Sequence, residues 1–473
     1  MRILLILRSF FLLLIILAVL PAWHSCYGQD STIAGEAAKS SQQSQQDNSQ
    51  KPAATSPDTN PSSPQTTTPP PSTTAPPSSL NDTVDAGEMD DDIDHSPRRM
   101  AQWNEYRGPY ITARAGLGLL VEAASFAQDD ASKEQIKMSP DQRLRDFRFV
   151  LGGSFPSLSR KVTWNVGIMY DSPTHAWLMR QTGVMVAVPE LWGNIFIGRS
   201  KEGFSLNKVM VGYDGWTMER STMSDATIPI LADGFKWLGY TPKHGFLWNF
   251  GYYNDWLSHN QSFSTYHSQT VLRVAWLPIH SDEKREVLHL GVNLRNGSPE
   301  KGQLQFRSRP EAFPAPYFVD TGKFAATNTK MAGYETYYRR GPFLVGSEYW
   351  WVGVSSPSTH NPTIHGGDFV ATWCLTGEAR AYNTVQGAFR EVIPKRPVFS
   401  GGPGAVELVA RFSDIDLDSG TLQGGKFKRF TPMVNWYLTD YLRIVAAYGI
   451  GRLDRFNLKG NTQFFQTRLQ FEF

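Results

Sequence analysis

From Tyr110 to Phe473 the chain repeats one pattern, short stretches of alternating apolar and polar residues broken by Gly, Pro, Asn and Asp. A period of two marks an extended strand whose successive side chains point to opposite faces. The last stretch shows it most clearly: Phe465, Thr467, Leu469, Phe471 and Phe473 share one face, and Gln466, Arg468, Gln470 and Glu472 the other. The same alternation sets Leu288, Leu290, Val292 and Leu294 against His289, Asn293 and Arg295, and Val406, Leu408, Ala410 and Phe412 against Glu407 and Arg411. The stretches begin near Tyr110, Arg145, Lys161, Arg180, Trp192, Phe235, Phe246, Val271, Glu286, Met331, Phe343, Gly366, Gly404, Phe427, Tyr441 and Asn461.

That makes about sixteen strands, an even number within the range of bacterial outer-membrane barrels. Arg340-Gly341-Pro342 and Thr439-Asp440 read as tight periplasmic turns, while Ser200 to Gly234 and Asn296 to Lys330 are long enough to face the exterior or fold inward. A soluble antiparallel sheet alternates too, so the aromatics add weight. Trp436 and Tyr437, Trp350 and Trp351, Trp276, and Tyr337 and Tyr338 fall near strand ends, where a membrane barrel carries aromatic girdles. Hydrocarbon offers backbone N–H and C=O groups no partner, so a sheet in lipid has to close on itself, with apolar residues outward and polar residues inward. The fold expected is therefore all-β, a transmembrane antiparallel β-barrel.

On this parity Arg114, Arg148, Arg273, Arg295, Arg411, Arg443 and Arg468 point into the lumen, against a smaller acidic set of Asp146, Glu335, Glu407 and Glu472. A lumen with more fixed positive than negative charge favours anions over cations. Pairing of each arginine with an acid on a neighbouring strand is an equally available role for any single one.

Composition changes the picture in three places. The 473 residues hold one long apolar run, Ser9 to Leu20, which excludes a helical membrane bundle, while 40 Gly and 13% aromatic residues suit a β-rich chain with many turns. The run follows Arg2 and Arg8 and precedes Pro21, Cys26 and Gly28, the layout of a secretory signal over residues 1–28. Residues 29–106 form a Ser/Gln/Thr/Pro-rich segment, with Asp90, Asp91, Asp92 and Asp94 near its end, too poor in apolar surface to fold; it is expected to be a disordered linker. The barrel then occupies residues 107–473.

The net charge of +2 conceals an asymmetry: residues 29–96 carry 11 acids and 2 bases, whereas residues 97–473 carry 42 bases and 33 acids. Loss of Cys26 with the signal leaves Cys374 as a single thiol, so no internal disulfide is expected. GxSxG, Walker and HExxH signatures do not occur, and no catalytic residue is assigned. His360, His365 and Asp368 are the tightest potential metal set, but Asn361-Pro362 interrupts them; Gly401 to Gly404 has no following Lys-Ser/Thr and reads as a turn. No metal, cofactor or nucleic-acid partner is expected.

Two blocks of motif point further. Gly198-Arg199-Ser200-Lys201-Glu202-Gly203-Phe204-Ser205-Leu206 is followed by Met218-Glu219-Arg220-Ser221. Thr376-Gly377-Glu378-Ala379-Arg380 is followed by Gly401 to Ala405, Glu407 to Ser413 and Asn435-Trp436-Tyr437-Leu438. In these the sequence resembles the phosphate-selective porin O/P family over roughly residues 107–473. The resemblance implies a sixteen-stranded, trimeric outer-membrane porin of a Gram-negative-type bacterium, whose third external loop folds into the channel. Ser200 to Gly234 fits that loop, and Lys201 and Arg220 become candidates for charge at the constriction, with anchoring of the loop as their other available role. The terminal Phe473 looks like a recognition signal for outer-membrane assembly machinery. The expected function is passive diffusion of small anions, phosphate or other oxyanions, through a water-filled channel. The alternative is a structural barrel in outer-membrane lipid that tethers membrane to cell wall through its linker.

Overall fold

The computed structural model describes residues 104–254, 256–257 and 266–473. The signal segment and nearly all of the linker lie outside the described residues. Sixteen staves form the wall. They are β1 (Thr112–Gln128), β2 (Asp141–Ser154), β3 (Val162–Asp171), β4 (Ala176–Met179 and Thr182–Val188), β5 (Gly193–Ser200), β6 (Ala232–Thr241), β7 (Phe246–Asn254) and β8 (Tyr266–Ser281), then β9 (Glu286–Pro299), β10 (Asn328–Arg340), β11 (Phe343–Ser355), β12 (Thr363–Cys374), β13 (Ala405–Ser419), β14 (Leu422–Tyr437), β15 (Leu442–Arg455) and β16 (Leu458–Glu472). Each stave begins within five residues of its expected start. The hydrogen-bonded sheet has eighteen strands because β4 is interrupted at Arg180-Gln181 and the short strand Glu105–Arg107 pairs with the start of β1.

Neighbours pair antiparallel throughout, and β1 pairs with β2 on one side and β16 on the other, so the sheet closes. The seam ends in a reciprocal pair of backbone bonds, Leu117 N to Phe473 O and Phe473 N to Leu117 O, both 3.0 Å. Closure leaves no sheet edge, which is what hydrocarbon demands of a strand. The outward face is apolar: Val121, Phe149, Ile197, Val292, Phe369 and Leu469 are all exposed. The inward face carries the polar residues of the alternation.

One aromatic expectation is corrected. Trp436, Trp351, Trp276 and Tyr338 lie on the outward face, but Tyr437, Trp350 and Tyr337 point inward and are buried. Consecutive residues of a strand face opposite sides, so an adjacent aromatic pair supplies only one ring to a girdle.

Three long connections enter the lumen. Loop A (residues 201–231) and loop B (residues 300–327) leave from the end opposite the C terminus. Loop C (residues 375–404) joins β12 to β13 at the C-terminal end, where the other described connections are short. Its length and inward course were not evident in the sequence. The wall is one layer thick, so the apolar core lies inside it. Phe204 and Met223 of loop A and Phe306 and Phe318 of loop B pack with Trp350, Phe427 and Phe464 of the wall. Phe318 meets Phe427 edge-on with centroids 5.2 Å apart. Nearer the C-terminal end, Leu206 and Trp216 of loop A pack against Phe389 of loop C and Tyr337 of the wall.

Candidate permeation site

Loop A is built to dock. Ser205 holds a left-handed backbone (φ 70°) and its hydroxyl accepts from Lys208 N, capping the short helix α1 (Leu206–Val209). The first turn then meets a row of wall carboxylates. Leu206 N donates to Glu335 Oε2 (2.7 Å), Asn207 N to Glu348 Oε1 (2.9 Å) and the Ser205 hydroxyl to Glu348 Oε2, while Ser205 N donates to Asn293 (3.0 Å). Further along, Asn435 donates to Trp216 O (2.9 Å), Arg443 to Gly215 O (2.7 Å) and Gln470 to Tyr213 O (3.0 Å). These anchors lie on β9 to β11 and β14 to β16. Loop A thus lies along that side of the wall, and Tyr213 reaches across to Gly118 of β1 and to Arg148 of β2.

All seven arginines of the expected set lie at lumen-facing positions of their strands. Most hold something there. Arg148 pairs with Asp146 and lies 4.2 Å from the centre of the Tyr213 ring. Arg273 donates Nε to Glu335 (2.7 Å) and its two terminal nitrogens to Gln386 O (2.8 Å) and Gly387 O (2.6 Å) of loop C. Arg295 faces Glu202 at 3.3 Å and donates to Thr227 O and Gln269. Arg411 pairs with Glu311 of loop B and donates to Glu219 O of loop A (2.7 Å). Arg468 pairs with Glu122 of the wall (2.5 Å) and with Glu219. Arg443 takes the loop A carbonyls already described, and Arg114 sits toward the C-terminal end of the barrel, opposite Gly152.

Lys201 and Arg220, nineteen positions apart in the sequence, are brought together: both donate to Met210 O, at 3.0 and 2.9 Å. Arg220 also donates to Asn207 (2.9 Å). A third base joins them that the family motifs did not single out. Lys208 is buried, with Nζ 3.1 Å from Ile228 O. Burial, reinforced by the neighbouring Arg220 guanidinium and by Lys201, pushes its ammonium down to about 7. The available signal was a lone charge inside the apolar stretch Leu206 to Val211. At the other end of loop A, burial of Glu219 is outweighed by Arg145 and Arg468, which hold its carboxyl down to about 2.

Across the lumen, β3 to β6 present Thr163, Asn165, Gln181 and Asn194, with Arg180, Arg199 and Lys236 and a single buried acid, Asp233. Arg180 shares the inner face with Gly167, whose missing side chain leaves room beside it. The tip of loop C reaches this side through Val385, which packs on Met185, Phe196 and Leu238. His365 and Asp368 do not converge: three apart on β12, they occupy opposite faces, and His365 instead bonds the Tyr349 hydroxyl (2.7 Å). Among the described residues no group of three metal-ligating side chains assembles. Gly401 to Gly404 form part of the turn into β13, with Gly401 and Gly404 at positive φ.

A closed sixteen-stave barrel with an apolar outer belt, a charged interior and loops folded into the lumen defines a porin of the Gram-negative outer membrane. The model of the family described as phosphate-selective porin O and P matches residues 123–473, and the chain belongs to that family. It is 26% identical over 238 residues to Porin O of Pseudomonas aeruginosa, covering 43% of this chain and 53% of that one. It is 30% identical over 167 residues to an uncharacterized protein of Caulobacter vibrioides, 34% of each chain. The chain thus spans between a third and about half the length of these curated relatives. The solved structure of Salmonella typhi OmpF in complex with daunomycin shares the fold, with a TM-score of 0.50 at 8% identity over 78% of this chain and all of that one.

Proposed function

We propose that the barrel conducts small anions by passive diffusion, phosphate and related oxyanions among them. The observation that carries this reading is the asymmetry of the lumen. Loop A is tied down along β9 to β16, and the facing staves β3 to β6 bury three bases against one acid, Asp233, which pairs with Arg199 at 2.7 Å and leaves Arg180 and Lys236 as the net excess. Fixed positive charge beside a narrowed aqueous path lowers the barrier for anions, and spread charges bind weakly enough for release. Lys201, Lys208 and Arg220 add three bases where loop A folds on itself. Of the seven lumen arginines, Arg148 lies on β2, beside the facing staves, while Arg273, Arg295, Arg411, Arg443 and Arg468 hold loops. The family name agrees with an oxyanion cargo. A homotrimer, solute-filled and embedded in outer-membrane lipid, is the functional unit, and Phe473 at the seam is the element read by the assembly machinery.

The test is reversal potential in asymmetric KCl across a planar bilayer. Anion preference is expected in the unmodified channel, and Lys201→Gln with Arg220→Gln is expected to reduce it. Cation preference in the unmodified channel defeats the proposal.

A further inference from the structure

The carboxylate of Glu335, on β10, has four hydrogen-bond partners, drawn from loop A and two wall strands, β8 and β9. Oε1 accepts from Arg273 Nε and from His289 Nε2, each at 2.7 Å, and Oε2 accepts from Leu206 N (2.7 Å) and Asn293 Nδ2 (3.1 Å). Two of those partners continue to loop C. Arg273 grips Gln386 O and Gly387 O with its terminal nitrogens. His289, donating from Nε2, is left with Nδ1 as acceptor for the Tyr382 hydroxyl at 2.6 Å. Gly387 is at φ 67°, and a Cβ there would stand 2.7 Å from Leu247 and 2.9 Å from the Arg273 guanidinium. The close approach of Arg273 to loop C therefore requires glycine at that position.

The two loops also touch one another. Arg380 of loop C donates to Asp214 O of loop A at 2.6 Å, and the Trp216 and Phe389 rings lie 6.2 Å apart. We infer that Glu335 is a positioning residue for the pore: one wall carboxylate holds loop A directly and loop C through Arg273 and His289, so the two loops form a single insert whose placement sets the aperture. As a statement about conductance, this rests on the channel reading above. As a statement about coupling, it stands without it.

Hydrogen exchange of the full-length protein in detergent micelles, with single-channel recording in KCl alongside, tests the inference on Glu335→Gln. A carboxamide keeps the shape but cannot accept all four donors, and charge-assisted bonds are the strong ones. Exchange in both Leu206 to Met210 and Tyr382 to Phe389 is expected to rise by about tenfold or more, with strand segments unchanged. Single-channel currents are expected to become noisier and to show sub-levels. A folded variant in which only Leu206 to Met210 responds, or neither segment does, overturns the inference. Should Glu335→Gln fail to assemble, Gly387→Ala decides the matter, because it displaces Arg273 without altering the carboxylate. Faster exchange at Leu206 to Met210 then supports the coupling, and a change confined to loop C refutes it. Coupled exchange in a channel without anion preference would leave the coupling intact and remove the anion reading alone.

Discussion

Lys208 turns the lumen charge into a quantity that can be titrated. With its ammonium pushed down to about 7, the side chain is about nine-tenths charged at pH 6 and about one-tenth charged at pH 8. The sign follows directly: positive charge leaves loop A as pH rises, so anion preference falls across that interval. Part of the depression comes from Arg220, which is bonded to Asn207, the residue beside Lys208. A like charge close by disfavours the ammonium form, and each 1.4 kcal/mol of that repulsion is worth about one pKa unit. Arg220→Gln should therefore lower the overall preference and also move the midpoint of its pH dependence upward from near 7. Reversal potentials in a KCl gradient between pH 5.5 and 9 measure both effects, and Lys208→Met should abolish the step. A midpoint unmoved by Arg220→Gln refutes the electrostatic account of Lys208, and a flat profile between pH 6 and 8 refutes its place beside the anion path. Stability carries the opposite trend. A lysine whose folded-state pKa is depressed binds fewer protons folded than unfolded between about 7 and 10.4, so this residue's contribution to stability rises with pH through that window.

Three other perturbations bear on the wall and the loops. Val292 is 55% exposed on the lipid face of β9, so Val292→Arg should destabilise the barrel by about 2–4 kcal/mol in urea unfolding from lipid vesicles if it sits near the bilayer midplane. Arg380 donates to both oxygens of Glu407 at 2.8 Å and to the Tyr437 hydroxyl at 2.7 Å, so Arg380→Met leaves a buried carboxylate and should cost about 3–5 kcal/mol in the same assay. Adding Glu407→Gln should restore part of that loss. Neutralising an ion pair together, Arg295→Gln with Glu202→Gln, removes no net charge and should leave the reversal potential near the unmodified value, whereas Lys201→Gln with Arg220→Gln should not.

The staves were legible in the sequence for a reason peculiar to membranes: lipid on one side and water or polar loops on the other enforce period two along nearly every strand. Leu469 and Arg468 cannot exchange faces without placing a guanidinium in hydrocarbon, so register and parity were fixed by chemistry visible residue by residue. Loop A announced itself by length and by its motif. Loop C carries a motif too, Thr376 to Arg380, but nothing that marks its inward course. Between Leu375 and Gly404 it has neither periodicity nor an apolar run, and the wall grips it at its carbonyls, those of Gln386 and Gly387 held by Arg273 and that of Arg380 by Arg339. Every residue carries a carbonyl, so such anchors leave no mark on the sequence. Adjacent aromatics misled for a similar reason: Trp350 and Trp351 look alike in sequence, yet one ring bonds Thr227 inside the lumen while the other faces lipid.

The direction of the arginines was readable but their role was not, and the difference matters for how selectivity arises. Arg148, Arg273, Arg295, Arg411 and Arg468 each stand within 4.0 Å of a carboxylate. A charge beside its opposite acts at a distance as a dipole, whose potential falls faster than that of a lone charge, so 42 bases against 33 acids overstates the field an ion would meet. Taking so many guanidinium groups out of water is tolerable because they are bonded, and the bonds run to the loops more often than to the wall. The arginine ladder of β8 to β16 therefore acts first as scaffold, holding loops A, B and C at fixed depths. On the proposed anion reading, selectivity falls to the bases of β3 to β6, where Arg199 is itself paired with Asp233, and to those in the fold of loop A.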